Sequence, residues 1–243
     1  PSGCPQMTRI TTGMALAAGL GTRMRPLTLD RPKALVKVHG RVLLDWALDR
    51  FAASGVERCV VNIHHFADLM EAHLGARPGA PALSISDERD EVLETGGGVV
   101  KALPQLGPDP FFISNIDAIW VDEGERELDR LQDAWDPVRM DALLLLAPME
   151  RTLGFDGAGD AFLEPDGRLR FRGAAPAAPY AYAGVQILNP AVLDGRQPVR
   201  FSMMDVWKEL AAAGRLHGLV MDSFWMHVGD PVAVSEAEAR LSG

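Results

Sequence analysis

The sequence predicts an α/β protein, with a mainly parallel β-sheet covered by helices on both faces and a smaller β-rich part after it. Three observations predict this. Apolar runs alternate with segments of helical period through residues 10–150, the pattern that sets parallel strands beside crossover helices. A glycine-rich, basic loop follows the first of those runs, at the strand end where open parallel sheets form their sites. From Gly154 the alternation stops, and residues 162–171 read as a hairpin around Pro165-Asp166-Gly167, whose residues suit a tight turn.

Taken in order, residues 13–18 form an apolar, buried first strand. Gly19 and Gly21 break it and let the backbone approach something bulky. A loop at that position offers unpaired N–H groups to phosphate oxygens. Arg23, Arg25 and Arg31 add positive charge, and Lys33 follows the stiff Pro32. Together these read as a grip for a polyphosphate. A dinucleotide fingerprint needs a third glycine where Met24 stands, and a Walker loop needs a Gly-Lys-Ser or Gly-Lys-Thr that does not occur.

Residues 42–51 carry apolar side chains at helical spacing, and Gly55 ends that helix. Residues 59–63 form a second buried strand, with His64 and His65 just beyond it. Adjacent side chains rarely share one metal ion, so packing or hydrogen bonding is expected of both histidines. A short helix over 67–74 and a strand over 83–86 follow. Then comes Glu94-Thr95-Gly96-Gly97-Gly98 before a helical run over 99–103. Three glycines there would let a flat ligand lie against the backbone near helix N–H groups. The strand over 111–117 ends in Asn115-Ile116-Asp117, which puts a carboxylate at the sheet's carboxyl edge. Such a group can hold Mg²⁺ on a phosphate.

A helix over 125–135 and a strand over 142–147 complete the alternating part. After the hairpin come a strand over 180–188, a helix over 203–213, a strand over 216–221 and a terminal helix opened by Pro231. No repeat or linker divides the chain. The expectation is one domain over residues 10–243, with residues 10–150 binding nucleotide, 151–243 serving the second substrate, and 1–9 an extension.

Composition narrows the partners. A net charge of −9 argues against broad binding of nucleic acid or anionic membranes, so positive charge for a polyanion must be concentrated locally. Cys4 and Cys59 are too few and too far apart for a disulfide scaffold or zinc site. No apolar run reaches the ~18 residues of a membrane helix, and the opening residues lack the features of a signal peptide. A start at Pro1 points to processing or an expression scar. The expectation is a soluble cytoplasmic protein.

The motifs together resemble those of the sugar-1-phosphate nucleotidyltransferases, most closely the bacterial N-acetylmuramate-1-phosphate uridylyltransferases of cell-wall recycling. Residues 16–33 resemble the nucleotide signature, 94–98 the segment near the base, and Asn115-Ile116-Asp117 the usual Asn-Gly-Asp. Residues 225–230, Trp-Met-His-Val-Gly-Asp, fall where the family has Trp-x-Asp-x-Gly-Thr. The resemblance implies a Rossmann-like, GT-A-like fold and transfer of a nucleoside monophosphate from an NTP, UTP foremost, to a sugar 1-phosphate. It assigns base and ribose to the backbone of Ala18, Gly19, Leu20 and Gly21, with Thr95 and Gly96 near the base. It assigns the β- and γ-phosphates to Thr22 and Arg23. Lys33 then sits between the α-phosphate and the sugar phosphate, Asp117 on the metal, and Asn115, Asp160 and Gly184 on the sugar.

Two departures stand out. Ile116 replaces a glycine, and His227 replaces the second metal carboxylate. The site then relies on Asp117 alone, recruits Asp230, favours Mn²⁺ over Mg²⁺, or has lost activity. A guanylyltransferase for mannose 1-phosphate, another sugar-1-phosphate nucleotidyltransferase and a non-catalytic nucleotide-sugar sensor are the alternatives. Oligomeric state is open.

Overall fold

A computed structural model describes residues 9–243, so Cys4 lies outside the described part. Fourteen strands and six α-helices follow one another along the described chain. They are β1 (Thr12–Leu16), β2 (Lys37–Val38), β3 (Arg41–Val42), α1 (Leu43–Ala53), β4 (Arg58–Ile63), α2 (Ala67–Ala76), β5 (Ala82–Asp87), α3 (Glu94–Leu106), β6 (Phe111–Asn115) and β7 (Ala118–Ile119). The later ones are α4 (Glu127–Ala134), β8 (Ala142–Pro148), β9 (Thr152–Leu153), β10 (Ala161–Leu163), β11 (Leu169–Phe171), β12 (Tyr180–Leu188), α5 (Met203–Ala212), β13 (Leu216–Val220), β14 (Trp225–His227) and α6 (Pro231–Ser242).

The heart of the sheet is parallel, in the order β6-β1-β4-β5. Strand β12 then runs antiparallel to both β6 and β8, and β13 lies parallel to β8. The sheet is therefore mixed around a parallel core. Strand β12, from the later half of the chain, is a central member of the main sheet, while the β10–β11 hairpin is added at one end of β12.

Period-2 alternation places the core on both faces. Met14 on β1 and Phe111 and Ile113 on β6 pack with α3 and α5 side chains such as Val99, Met203 and Leu210. Their neighbours Ala15 and Phe112 face the opposite layer with Leu44, Leu48 and Phe51 of α1 and Leu128 of α4. Gly13 is needed in β1 because the Phe51 ring lies 3.0 Å from where a Cβ would stand. Cys59 is a small core residue, its thiol pushed up to about 12 by burial. The turn at Pro165-Asp166-Gly167 joins β10 to β11 as its residues predict. No helix among the described residues is long and apolar enough to cross a membrane.

Candidate active site

The carboxyl ends of β1 and β6 open into a cleft of about 490 Å³. Its first wall is the loop after β1. Gly21 sits at φ 60°, a conformation that favours glycine, and a Cβ there would come within 2.8 Å of Lys33 Cβ. Thr28 Oγ1 donates to Gly21 O at 2.8 Å, tying the loop back onto the segment that carries Lys33. Met24, fully buried, anchors its base.

The free amides begin later in this loop than its sequence suggests. Asn62 Oδ1 accepts from Ala17 N at 2.7 Å and from Ala18 N at 3.3 Å, so those two donors are already satisfied. The amides of Gly19, Leu20 and Gly21 make no hydrogen bond among the described residues. Asn62 Nδ2 in turn donates to Glu88 Oε1 at 2.8 Å. Asn62 and Glu88 are both buried yet reach the cleft. Burial holds the Glu88 carboxyl above the usual glutamate range, opposed by the Asn62 amide. Neither residue was among the sequence-based candidates. The signal for Asn62 was a polar side chain within the apolar run of β4.

The charged end of the cleft is lined by Lys33 and Asp117, and His227, which does not itself line the cleft, touches Asp117. Lys33 Nζ lies 2.7 Å from Asp117 Oδ2, and His227 Nε2 lies 3.4 Å from the same oxygen. Asp117 is held from behind as well, its carbonyl accepting from Val228 N at 2.8 Å. Burial alone would raise its carboxyl, but the His227 and Lys33 contacts prevail and keep it well below the usual carboxylate range. For His227, burial opposes the charge and Asp117 favours it, with a net rise. The His227 Nδ1 lies 3.1 Å from Gly154 O, and a ring N–H donating there leaves Nε2 facing Asp117.

Of the remaining candidates, Ala18, Gly19, Thr22, Arg23, Thr95 and Asn115 line the cleft. Leu20 is not among the lining residues and is half-exposed. Of the loop's cations only Arg23 and Lys33 reach the cleft. Arg31 is instead paired with its neighbour Asp30 at 2.8 Å.

The glycine run differs from its sequence reading. Glycines 96–98 lie inside the first turns of α3 and receive protein rather than leaving a platform open. Gly96 N donates to Phe201 O at 3.0 Å, and a Cβ on Gly97 would stand 2.0 Å from Val199 O. Gly98 leaves room for Glu88 and Asn62. Gly96 therefore does not line the cleft, whereas Glu94, at φ 58°, and Ser202 do. Thr95 Oγ1 accepts from Met203 N at 2.9 Å and so couples α3 to α5.

Asp160 and Gly184 do not line the cleft either. One Asp160 oxygen accepts from Tyr182 N at 2.9 Å. Gly184 sits at φ 83°, and a Cβ there would lie 3.0 Å from Ala118 Cβ and 3.3 Å from Asn115 Cβ. Its smallness thus serves the close approach of β12 to the Asn115–Ala118 turn. Ile116 needs no glycine in its place. Its φ is not positive, and its side chain is buried in the core. Asp230 does not join Asp117, because its Oδ1 caps α6 by accepting from Ala233 N at 2.9 Å. His64 Nδ1 contacts Glu88 O at 2.6 Å, and His65 packs on Phe66.

The profile of the MobA-like NTP transferase domain matches residues 13–219. The chain is 53% identical over 232 residues to the N-acetylmuramate alpha-1-phosphate uridylyltransferase of Caulobacter vibrioides, covering 94% of this chain and 96% of that one. The protein of the same name from Neisseria meningitidis serogroup B is 29% identical, over 93% and 96% of the two chains. Among solved structures, a UDP-glucose pyrophosphorylase complexed with UDP-glucose superposes with a TM-score of 0.78 at 15% identity, covering 96% of this chain and 98% of that one. The inositol-1-phosphate CTP transferase from T. maritima gives 0.74 at 17%, covering 97% and 98%. At those identities the likeness is one of fold.

Proposed function

The chain belongs to the MobA-like NTP transferase family, and we propose that it transfers UMP from UTP to N-acetylmuramic acid 1-phosphate, forming the nucleotide sugar and pyrophosphate. The observation that carries this reading is the meeting of Lys33 and Asp117, contacted by His227, at one end of a cleft whose other end offers bare loop amides. The 53% identity to an enzyme of that name over nearly the whole chain supports the choice of substrates. In this reading residues 10–150 hold the nucleotide and residues 151–243 serve the sugar, and the enzyme works in the cytoplasm, where it recovers a cell-wall sugar.

A phosphate oxygen of the sugar 1-phosphate attacks the α-phosphorus in line, and pyrophosphate leaves. The attacking monoester is already anionic, so the reaction needs no general base. The barrier lies in bringing two anions together, which makes catalysis a matter of alignment and charge neutralisation. The amides of Gly19, Leu20 and Gly21, with Thr22 and Arg23, receive the triphosphate. Lys33 Nζ turns from Asp117 to the phosphates and neutralises both reactants. Asn115, beside the Asp117 turn, orients the sugar, while Gly184 lets β12 approach that turn.

The donors present suit a divalent cation: the Asp117 carboxylate, and the His227 imidazole, whose Nδ1 contacts a carbonyl and whose Nε2 becomes a donor when the cation displaces its proton. Asp117 and His227 would hold it, with Mg²⁺ or Mn²⁺ supplying further neutralisation of the triphosphate. The test is incubation with UTP, a divalent cation and a panel of sugar 1-phosphates, with mannose 1-phosphate and GTP as controls. The expected product is UDP-N-acetylmuramic acid with equimolar pyrophosphate. Turnover confined to GTP and mannose 1-phosphate, or nucleotide binding without turnover on any sugar, would overturn the reading.

A further inference from the structure

The donors beside Lys33 differ in kind, one oxygen and one nitrogen, and their spacing bears on which cation they take. Asp117 Oδ2 and His227 Nε2 stand 3.4 Å apart. Two ligands each about 2.1 Å from one ion lie about 3.0 Å apart at a right angle and about 3.4 Å apart at the tetrahedral angle. The two donors therefore already stand at a spacing that one ion can bridge once Lys33 has left Asp117. The imidazole is also held in place. Its Nδ1 is engaged with Gly154 O at 3.1 Å, and its ring lies against that of Trp225 at 5.7 Å and 28°. Gly154, at φ 72°, could not carry a side chain, since a Cβ would stand 2.2 Å from His227 O. A Cβ on Gly229 would come within 2.9 Å of His227 Cε1.

Among the described residues no third histidine, cysteine or carboxylate joins the pair, and Asp230 is committed to the cap of α6. Water and triphosphate oxygens must complete the shell. Lys33 Nζ shares Asp117 Oδ2 at 2.7 Å, so the cation enters together with the triphosphate, whose oxygens draw the ammonium away. Mg²⁺ favours an all-oxygen octahedron and gains least from an imidazole, whereas first-row transition ions bind nitrogen progressively better along the Irving–Williams order.

We propose that Asp117 and His227 form a mixed oxygen–nitrogen site that selects a first-row transition cation over Mg²⁺ when the triphosphate is bound. This rests on the reading that the cleft takes a nucleoside triphosphate. The test uses the full chain with a non-hydrolysable UTP analogue and Mn²⁺ as a paramagnetic probe. Pulsed electron paramagnetic resonance of the ternary complex should show ¹⁴N modulation from an imidazole bound directly to Mn²⁺, and His227→Asp should abolish it. Competition with Mg²⁺ should show a Mn²⁺ preference that falls by about 10-fold or more in His227→Asp, with circular dichroism confirming that the variant is folded. Mn²⁺ held in the ternary complex without nitrogen modulation would overturn the inference, as would an unchanged preference in the variant. If UDP-sugar still forms in that case, the functional reading stands; if the analogue does not bind at all, both fall.

Discussion

Asn62→Asp tests whether Asn62 joins Glu88 to the loop after β1. The substitution keeps an oxygen to accept from Ala17 and Ala18 but turns the amide that donates to Glu88 into a second carboxyl oxygen, 2.8 Å from Glu88 Oε1. Two full charges at that distance repel by about 6 kcal/mol at an effective dielectric of about 20. The folded pair will therefore keep one proton between two carboxyls. The unfolded chain releases that proton in the ordinary carboxylate range, so above it the folded state binds more protons. Stability then falls as pH rises, by up to about 1.4 kcal/mol per pH unit. Wild type carries a weaker effect of the same sign, because Glu88 is itself raised by burial. Asn62→Leu provides the contrast, orphaning the Ala17 and Ala18 amides at every pH at a cost of about 2–4 kcal/mol. Urea unfolding at about pH 5 and about pH 8 reads both variants. The reasoning fails if Asn62→Asp shows the wild-type dependence on pH, since the two carboxyls would then not be in contact.

Three other predictions concern the cleft. Lys33→Ala should lower kcat about 10²- to 10³-fold with the fold intact, by analogy with removing one transition-state donor, and stopped-flow release of pyrophosphate measures it. Asp117→Asn should abolish metal-dependent turnover while the protein remains folded. Full activity in a metal titration of that variant would remove Asp117 from the site. Gly97→Ala places a methyl 2.0 Å from Val199 O, so α3 must part from the 199–201 segment. Overpacking of this kind costs about 1–3 kcal/mol, which a thermal melt and a raised KM for UTP should both register.

What the sequence revealed and what it hid divide along the range of the interactions. That the loop after β1 lines the cleft was legible because Gly19, Gly21, Arg23 and Lys33 lie within fifteen residues of one another, and the glycine and charge requirements are local. The β10–β11 turn was legible for the same reason. The Asn62–Glu88 contact joins residues 26 apart in the chain, and periodicity does not report which strand ends meet. The glycine run of α3 looked like a ligand platform because the segment that fills it, Val199–Phe201, lies about a hundred residues later. The Arg31–Asp30 pair is the exception, an adjacent contact that the count of cations in the loop did not register. Strand β12 showed its apolar pattern plainly, but alternation cannot say that it lies antiparallel between β6 and β8.

The claim everything else depends on is that a triphosphate lies along the Gly19–Arg23 loop with its α-phosphorus at Lys33. A crystal of the full chain grown with a non-hydrolysable UTP analogue, a divalent cation and N-acetylmuramic acid 1-phosphate tests it most directly. The account predicts phosphate oxygens on the Gly19–Gly21 amides and Arg23, with Lys33 Nζ moved from Asp117 to lie between the two substrates. A triphosphate bound outside this cleft, or a Lys33 that stays on Asp117 with both substrates in place, would contradict it.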